Sequence, residues 1–428
     1  ELGRMEGYAF CGQAAIELFQ EFSEKICEEP PKRTEESGMM PGEGRLEGSP
    51  QETEPPKRTE ELDMMSEEAE EPSQKTEEKT DAGKTAETEE KPDLEKEAKS
   101  IGAEDAISKE EEWSGEAQDF YFPPDWKLPE GGSKTRYLCN VKAIRTLKYL
   151  EREGRTATPK EQEILAGYVG WGGLPNAFNS RNSTWKKEYA ELKMLLSEEE
   201  YAQARKSVTT SFYTPPEIIQ GIYHALKQFG FEKGKILEPA AGIGNFFHGL
   251  PPEMRESELY GVEIDSISGR IARYLHPSAS IQITGFEKTA FEDHSFDVIL
   301  GNVPFGDFKL YDPRYKKKKL KIHDYFITKS LDLLRPGGIL AVVTSKGTLD
   351  KKENSMRREL AEQAQLLGAV RLPGKSFSRD ANTEVTSDIL FFQKKPERTV
   401  EEPIWIFTGL TENEVPVNEY YLEHPEMM

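Results

Sequence analysis

The run ILGNVPFGDF at residues 299–308 is an apolar strand pattern that ends in an amide, a proline, an aromatic ring and a glycine turn. Asn302 offers a side-chain carbonyl, Val303 a backbone carbonyl and Phe305 a flat apolar face, while Pro304 restricts Val303 to extended geometry. These are the parts needed to hold an exocyclic aromatic amine, whose lone pair is delocalised into its ring and therefore attacks poorly. Two acceptors on the amine hydrogens favour the pyramidal nitrogen of the transition state, and Phe305 would stack on the base. No strong general base is required when the amine is held in line with an electrophilic methyl.

A second constellation lies upstream. ILEPAAGIGNFF, residues 236–247, is a strand running into a tight turn with Gly242 and Gly244, which let the backbone approach a ligand at the carboxyl end of a sheet. Glycines at this spacing often serve geometry alone. The next apolar run, YGVEID, ends in Glu263, 25 positions after Glu238 and near the spacing at which an acid accepts hydrogen bonds from a ribose diol. No phosphate-binding lysine motif is present, and Glu238 stands where it would repel a pyrophosphate. A cofactor with a ribose, an amino group and a positive centre, such as S-adenosylmethionine, fits better than NAD or ATP.

The elements that must position these residues are readable from periodicity. From residue 235 the runs KILEPAAG, LYGVEID, SIQITGF, FDVILGN, GILAVVTS, LGAVRLP and DILFFQKK alternate with helical patterns. This predicts an α/β, Rossmann-like doubly wound domain, mostly parallel, with helices on both faces of the sheet. The helix HDYFITKSLDLL is closed by RPGG before the next strand. Residues 140–206 read as helical, with Val141, Ile144, Leu147 and Leu150 on one face and a Thr-Pro restart at TATPKEQEILAGYV. GWGGLPNAF, with Trp171 and Phe178, reads as a packed interhelical corner rather than a ligand contact.

The 428 residues carry a formal charge of minus 22, and residues 1–120 account for all of it. Residues 29–118 are rich in Glu, Lys, Thr and Pro and repeat EPPKRTEE at 29–36 and 54–61, the composition of a disordered acidic linker. Before it, residues 1–28 contain Ala15, Phe19, Phe22 and Ile26 at helical spacing, a short amphipathic helix. The expected organisation is completed by a helical region at 119–206, a catalytic domain at 207–398 and an extension at 399–428. Cys11, Cys27 and Cys139 have no paired spacing, which suggests neither a disulfide framework nor a metal site. With no membrane-length apolar stretch and no signal core, the expected location is cytoplasmic.

Taken together, EPAAGIGNFF and GNVPFG resemble the cofactor motif and the catalytic (N/D/S)PP(Y/F) motif of amino-group DNA methyltransferases that use S-adenosylmethionine. SFYTPPEII, at 211–219, resembles the (Q/F)YTP element that precedes the cofactor motif in the γ order of N6-adenine enzymes. LLGAVRLPGKSF and TEVTSDILFFQKK resemble the end of the same domains, so the likeness spans about residues 207 to 396. A narrower resemblance, carried by AGYVGWGGLPNAF, IHDYF, GTLDK, RLPGKSF and NEYYLEHPEMM, is to the methylase half of methylase–helicase fusion proteins of phages, plasmids and integrative elements. It implies a longer polypeptide with a helicase-like portion as partner.

The resemblance implies a Rossmann-like methyltransferase sheet and assigns roles. Tyr213, Thr214 and Pro215 would border the methionine end of the cofactor; Glu238, Pro239, Gly242 and Gly244 would form its cradle; Glu263 would bind ribose. Asn302, Val303, Pro304 and Phe305 would hold the target base, with Phe377 on its second face. Two positions depart from the family pattern. Val303 replaces the first proline of the motif, and Gly285 stands where an acid would bind the cofactor adenine, with Glu287 as its substitute and Phe286 packing on the ring.

A DNA base must leave the duplex to enter such a pocket. After the catalytic loop, DPRYKKKKLKIHDYF supplies Arg314, Lys316, Lys317, Lys318, Lys319 and Lys321 as candidate phosphate contacts, with Tyr315 among them and Lys351, Lys352, Arg357 and Arg358 as an extension. The leading expectation is adenine-N6 DNA methylation. The alternatives are methylation of an rRNA or protein amine, a catalytically silent domain that binds DNA or a partner, and a scaffold whose acidic segment recruits basic proteins.

Overall fold

Every apolar run singled out after residue 235 becomes a strand of one sheet in the computed structural model, which describes residues 116–123, 126, 131–209, 213–304, 306, 308–372 and 386–428. The expected helix at 13–27, residues 29–115 of the acidic segment, Phe305 and Phe377 lie outside the described residues.

Among the described residues, four α-helices come before the one that leads into the sheet. α1 (Ser133–Glu153) buries Val141, Ile144, Leu147 and Leu150, the predicted face, and ends where Gly154, at φ 65°, turns its N–H back to the Leu150 carbonyl. α2 (Pro159–Ala166) starts at a capping box of Thr158 and Glu161, and α4 (Glu198–Lys206), after α3 (Lys186–Leu195), at one of Ser197 and Glu200. Between α2 and α3, Trp171 and Phe178 meet edge to face at 5.3 Å in the buried corner their sequence suggests. Asn140 fixes that corner, donating to the Gly170 carbonyl at 2.5 Å and accepting from the Val169 amide at 2.9 Å.

α5 (Pro216–Gln228) leads into β1 (Lys235–Glu238), α6 (Asn245–His248), β2 (Glu258–Glu263), α7 (Ser266–Leu275), β3 (Ser280–Ile283) and β4 (Phe296–Asn302). α8 (Ile322–Leu333), β5 (Leu334–Ser345), α9 (Gly347–Asp350), α10 (Ser355–Gln363), β6 (Ala364–Leu372) and β7 (Ser387–Lys394) complete the sheet, in the order β3-β2-β1-β4-β5-β7-β6. β7 runs antiparallel to both neighbours and the other pairs are parallel. The chain steps outward from β1 in one direction through β2 and β3, and in the other from β4 to β5. Right-handed crossovers therefore put the connecting helices on opposite faces, as the sequence pattern predicted.

Two apolar cores meet at α7. Ile267, Ile271 and Leu275 complete the core of the helical region, while Ala272 of the same helix belongs to the core around the sheet. The C-terminal segment is not a loose appendage: Trp405, Ile406, Val417, Tyr421 and Met427 are buried in the sheet core. There the buried Arg357 guanidinium donates to the Ile406 carbonyl at 2.8 Å and the Lys351 carbonyl at 2.7 Å, so Arg357 cannot extend an exposed basic patch. Because Ile271 is fully buried where the helical region meets the sheet, Ile271→Ala is expected to cost about 2–5 kcal/mol, read as a lowered midpoint in urea unfolding.

Candidate active site

At the carboxyl end of β1 the chain passes through Glu238, Pro239, Ala240 and Ala241 into Gly242 at φ 55° and Gly244 at φ 89°. Both glycines hold left-handed backbone that a side chain would strain, and a Cβ on Gly242 would also lie 2.9 Å from the Tyr213 ring. The turn is tied to β2 through Glu263. Its Oε2 accepts from the Gly242 amide at 2.7 Å and its Oε1 from the Asp265 amide at 2.7 Å. Asp265 in turn caps α7, its Oδ1 accepting from the Ser268 amide and hydroxyl at 2.7 and 2.8 Å.

Around this turn lies a pocket of about 300 Å³. Of the residues the sequence put forward, Tyr213, Thr214, Glu238, Pro239, Gly242, Glu263, Phe286, Glu287, Asn302, Val303 and Pro304 line it. Pro215 instead caps the start of α5, and Gly244 starts α6. Sequence reasoning missed Tyr168, Ser207, Asn245, Asp265 and Ser268, which also line the cavity. Tyr168 and Ser207 come from the helical region. The signal for Tyr168 was present in AGYVGWGG, but the glycines around it read equally well as a corner.

Five buried polar atoms in the wall have no hydrogen-bond partner among the described residues: Tyr213 Oη, Thr214 Oγ1, Glu238 Oε2, Asn245 Nδ2 and Asp265 Oδ2. Unsatisfied buried groups are costly, and a cluster of them around one cavity marks a wall built for a polar ligand. Glu238 is 2% exposed, and burial, reinforced by the charge of Glu263, pushes its carboxyl well above the ordinary range. Burial and the neighbouring Asp265 push Glu263 up to about 7, against hydrogen bonds from the Asp265, Gly242 and Ile264 amides that favour its ionised form.

The opposite wall is the end of β4. Asn302 pairs in register with Val343 of β5, and the Val303 amide donates to the Val343 carbonyl at 3.1 Å. A proline at 303 would lack that bond, so valine extends the ladder one residue and buries its side chain in the sheet core. On the third side, a Cβ on Gly285 would overlap the Glu287 carboxylate, which folds back into the space that a side chain at 285 would take. Phe286 is buried against Phe326 with ring centroids 5.0 Å apart, and its carbonyl accepts from the Lys329 ammonium at 2.6 Å.

The basic run departs from expectation. Arg314 lies on Asp293 and Asp332, and the Tyr315 hydroxyl donates to Asp332 at 2.8 Å, leaving that ring 5% exposed. Asp332 is in the last turn of α8 and Asp293 precedes β4, so this turn sits at the amino end of the strands, opposite the pocket. The 12 residues of α8 separate the two ends by about 18 Å. Lys318 is paired with Glu359, Lys351 with Glu353 and Arg358 with Glu402. Sequence adjacency to the Asn302 motif therefore does not bring Arg314 and Tyr315 to the pocket.

The strand order, with β7 reversed between β5 and β6, is the Rossmann-like methyltransferase sheet expected from the sequence. Residues 194–422 match the family described as N-6 DNA Methylase, and the chain belongs to that family. It is 32% identical over 276 residues to Defense against restriction protein B of Escherichia phage P1, an alignment covering 63% of this chain and 11% of that protein. It is 32% identical over 146 residues to Type II methyltransferase M.CvrRI of Paramecium bursaria Chlorella virus XZ-6E, covering 33% of this chain and 37% of the viral protein. The chain thus spans about a tenth of the first relative's length and about a third of the second's. Among solved structures it is similar to a putative class I S-adenosylmethionine-dependent methyltransferase from Listeria monocytogenes, with 16% identity, TM-score 0.34, and coverage of 63% of this chain and 90% of that one. Among the described residues no helix is long and apolar enough to cross a membrane, and no cluster of three His, Cys, Asp or Glu is placed to hold a metal.

The raised Glu263 carboxyl carries a stability signature. Its contribution is fully present below the ordinary value of 4.5 and is lost as pH rises through about 7. Glu263→Gln is expected to flatten that part of the pH profile, and urea midpoints of the two proteins between pH 4.5 and 7.5 measure it.

Proposed function

We propose that this chain transfers the methyl group of S-adenosylmethionine to the N6 amino group of adenine in DNA. The observation that carries the reading is one cavity that joins the unsatisfied acids and hydroxyls of the β1 and β2 turns to the Asn302-Val303-Pro304 end of β4.

The wall fits the cofactor chemically. Glu238 and Asp265 offer carboxylate oxygens to an ammonium and a sulfonium, Asn245 and Thr214 offer polar contacts to a carboxylate, and Glu263 stands for the ribose hydroxyls. Glu287 supplies, from two positions on, the acid that Gly285 lacks for the adenine amine; the overlap of its carboxylate with the missing side chain supports this role. When bound, the cofactor supplies an electrophilic methyl on a positive sulfur. Burial and the charge of Glu263 raise the Glu238 carboxyl, so a cationic cofactor beside it would favour its ionised form and would bind more tightly as pH rises.

Asn302 accepts one hydrogen of the target amine through its side-chain carbonyl, and the Val303 carbonyl accepts the other. Proline at 304 holds the Val303 peptide extended, and the hydrogen bond that the Val303 amide donates to the Val343 carbonyl fixes its place relative to the sheet. Replacing the usual proline with valine leaves this carbonyl in place. Phe305 stacks on the base and Phe377 takes its second face.

The test is transfer of labelled methyl from S-adenosylmethionine to unmethylated plasmid DNA, with nucleoside digestion to identify the product. Label in N6-methyladenine is expected, with Asn302→Ala slower by about 100-fold or more; label in another nucleoside, or an unaffected variant, would sink the assignment. Glu287→Ala should weaken cofactor binding about tenfold by calorimetry, the scale of one charge-assisted hydrogen bond, whereas the same affinity in variant and parent would remove Glu287 from the site.

A further inference from the structure

With Arg314 and Tyr315 held at the far end of α8, other residues must meet DNA at the pocket. The rim itself answers. Directly after the Asn302 motif, Phe308 and Leu310 line the cavity, and the Phe308 ring covers Gly306, where a Cβ would come within 3.0 Å of it. Phe308 is 47% exposed at the cavity, and Tyr311, next in sequence to the pocket-lining Leu310, is 75% exposed. The segment that carries them is pinned at both ends. The Phe308 carbonyl accepts from the Ile322 amide at 3.1 Å, and the buried Asp312 accepts from the Tyr325 hydroxyl at 2.7 Å with the Lys329 ammonium at 3.6 Å. Both rings are thus presented by anchored backbone and lose little entropy on taking a partner.

Two exposed lysines lie at this end of the sheet. Lys309 is exposed between the two pocket-lining residues, and Lys346 is exposed just past the carboxyl end of β5, the strand beside Asn302. Neither has a carboxylate partner among the described residues, in contrast to Arg314, Lys318, Lys351 and Arg358. Exposed aromatic faces interleaved with unpaired cations fit unpaired nucleobases and their phosphates, because every base has a face to stack and every linkage a charge to neutralise.

We propose that Phe308 and Tyr311 form a stacking platform for the unpaired bases beside the target adenine, with Lys309 and Lys346 on the adjoining phosphates. This rests on the DNA-methylation reading above and names the surface by which that site takes its substrate. It accounts for rings kept in solvent on an anchored segment, and it moves the nucleic-acid contact from the basic run to the opposite end of the sheet.

The experiment measures fluorescence anisotropy of a labelled 20-nucleotide single-stranded oligodeoxynucleotide of mixed sequence, with the full chain in the presence of S-adenosylhomocysteine, alongside methyl transfer to plasmid DNA. Tyr311→Ala should raise the Kd about tenfold, the scale of one lost base stack, with cofactor binding retained as evidence of folding. Tyr311→Trp should restore affinity, and Phe308→Ala should lose it to a similar extent. The triple variant Lys316→Ala, Lys317→Ala, Lys319→Ala should bind within about twofold of the parent, whereas Lys309→Ala with Lys346→Ala should weaken binding and flatten its salt dependence. A parent that methylates DNA while Tyr311→Ala and Phe308→Ala bind normally, or a triple variant that loses binding, overturns the platform alone. A parent that neither binds the oligonucleotide nor methylates DNA overturns the methylation reading and the platform together.

Discussion

The carboxylate of Glu263 accepts the Gly242 amide on one oxygen and the Asp265 amide on the other, and so joins the turn after β1 to the turn after β2. Much of the site depends on that junction. It holds Gly242 in left-handed geometry under the Tyr213 ring and sets Asp265 to cap α7. It also brings an acid close to Glu238, in surroundings that disfavour charge on both. Two acids with raised pKa and free lone pairs in a buried wall are unfavourable by themselves, and a cationic ligand relieves the cost. Strain of this kind is tolerable because the sheet beneath overdetermines the turn positions.

The helical region is part of the same construction. α7 turns one side to the sheet and the other to α1, α2 and the corner around Trp171, and the two cores share it. That contact places Tyr168 and Ser207 in the cavity wall. The salt bridges from Arg270 to Glu151 and to Glu200 run along the same seam. Being partly exposed, they add orientation more than stability.

A buried network behind the pocket links three segments. Lys329 of α8 donates to the Phe286 carbonyl and faces Asp312, which also accepts from Tyr325. The wall carrying Phe286 and Glu287 and the loop carrying Phe308 and Tyr311 are thereby fixed to one helix. Lys329 is 6% exposed, and burial lowers its pKa while Asp312 opposes the shift. The ammonium is held where a carbonyl and a carboxylate can both satisfy it, the condition under which a buried cation is tolerated.

Much of the architecture was legible in the sequence because its signals are local. Apolar runs such as FDVILGN and GILAVVTS, bounded by glycine and proline, encode buried strands wherever they are placed. The one-sided pattern of Val141, Ile144, Leu147 and Leu150 encodes a helix face, and the turn glycines Gly242 and Gly244 encode backbone that other residues would strain. Residues at strand ends, Glu238, Glu263 and Asn302, could be named because an α/β sheet brings the carboxyl ends of its parallel strands to one edge. What the sequence could not reveal was where long connections travel. The loop after Asn302 follows α8 to the far end of the sheet and back, so Arg314 and Tyr315 leave the site while Phe308 and Leu310 line it. Likewise Arg357, surface-like by type, is buried under the C-terminal segment, and Tyr168 reaches the cavity from a separate core. Local propensity determined which elements form and which residues end them. Tertiary packing alone decided which side chains share a cavity, because side-chain neighbours across a sheet are set by strand order and helix docking, and neither is encoded within any one segment.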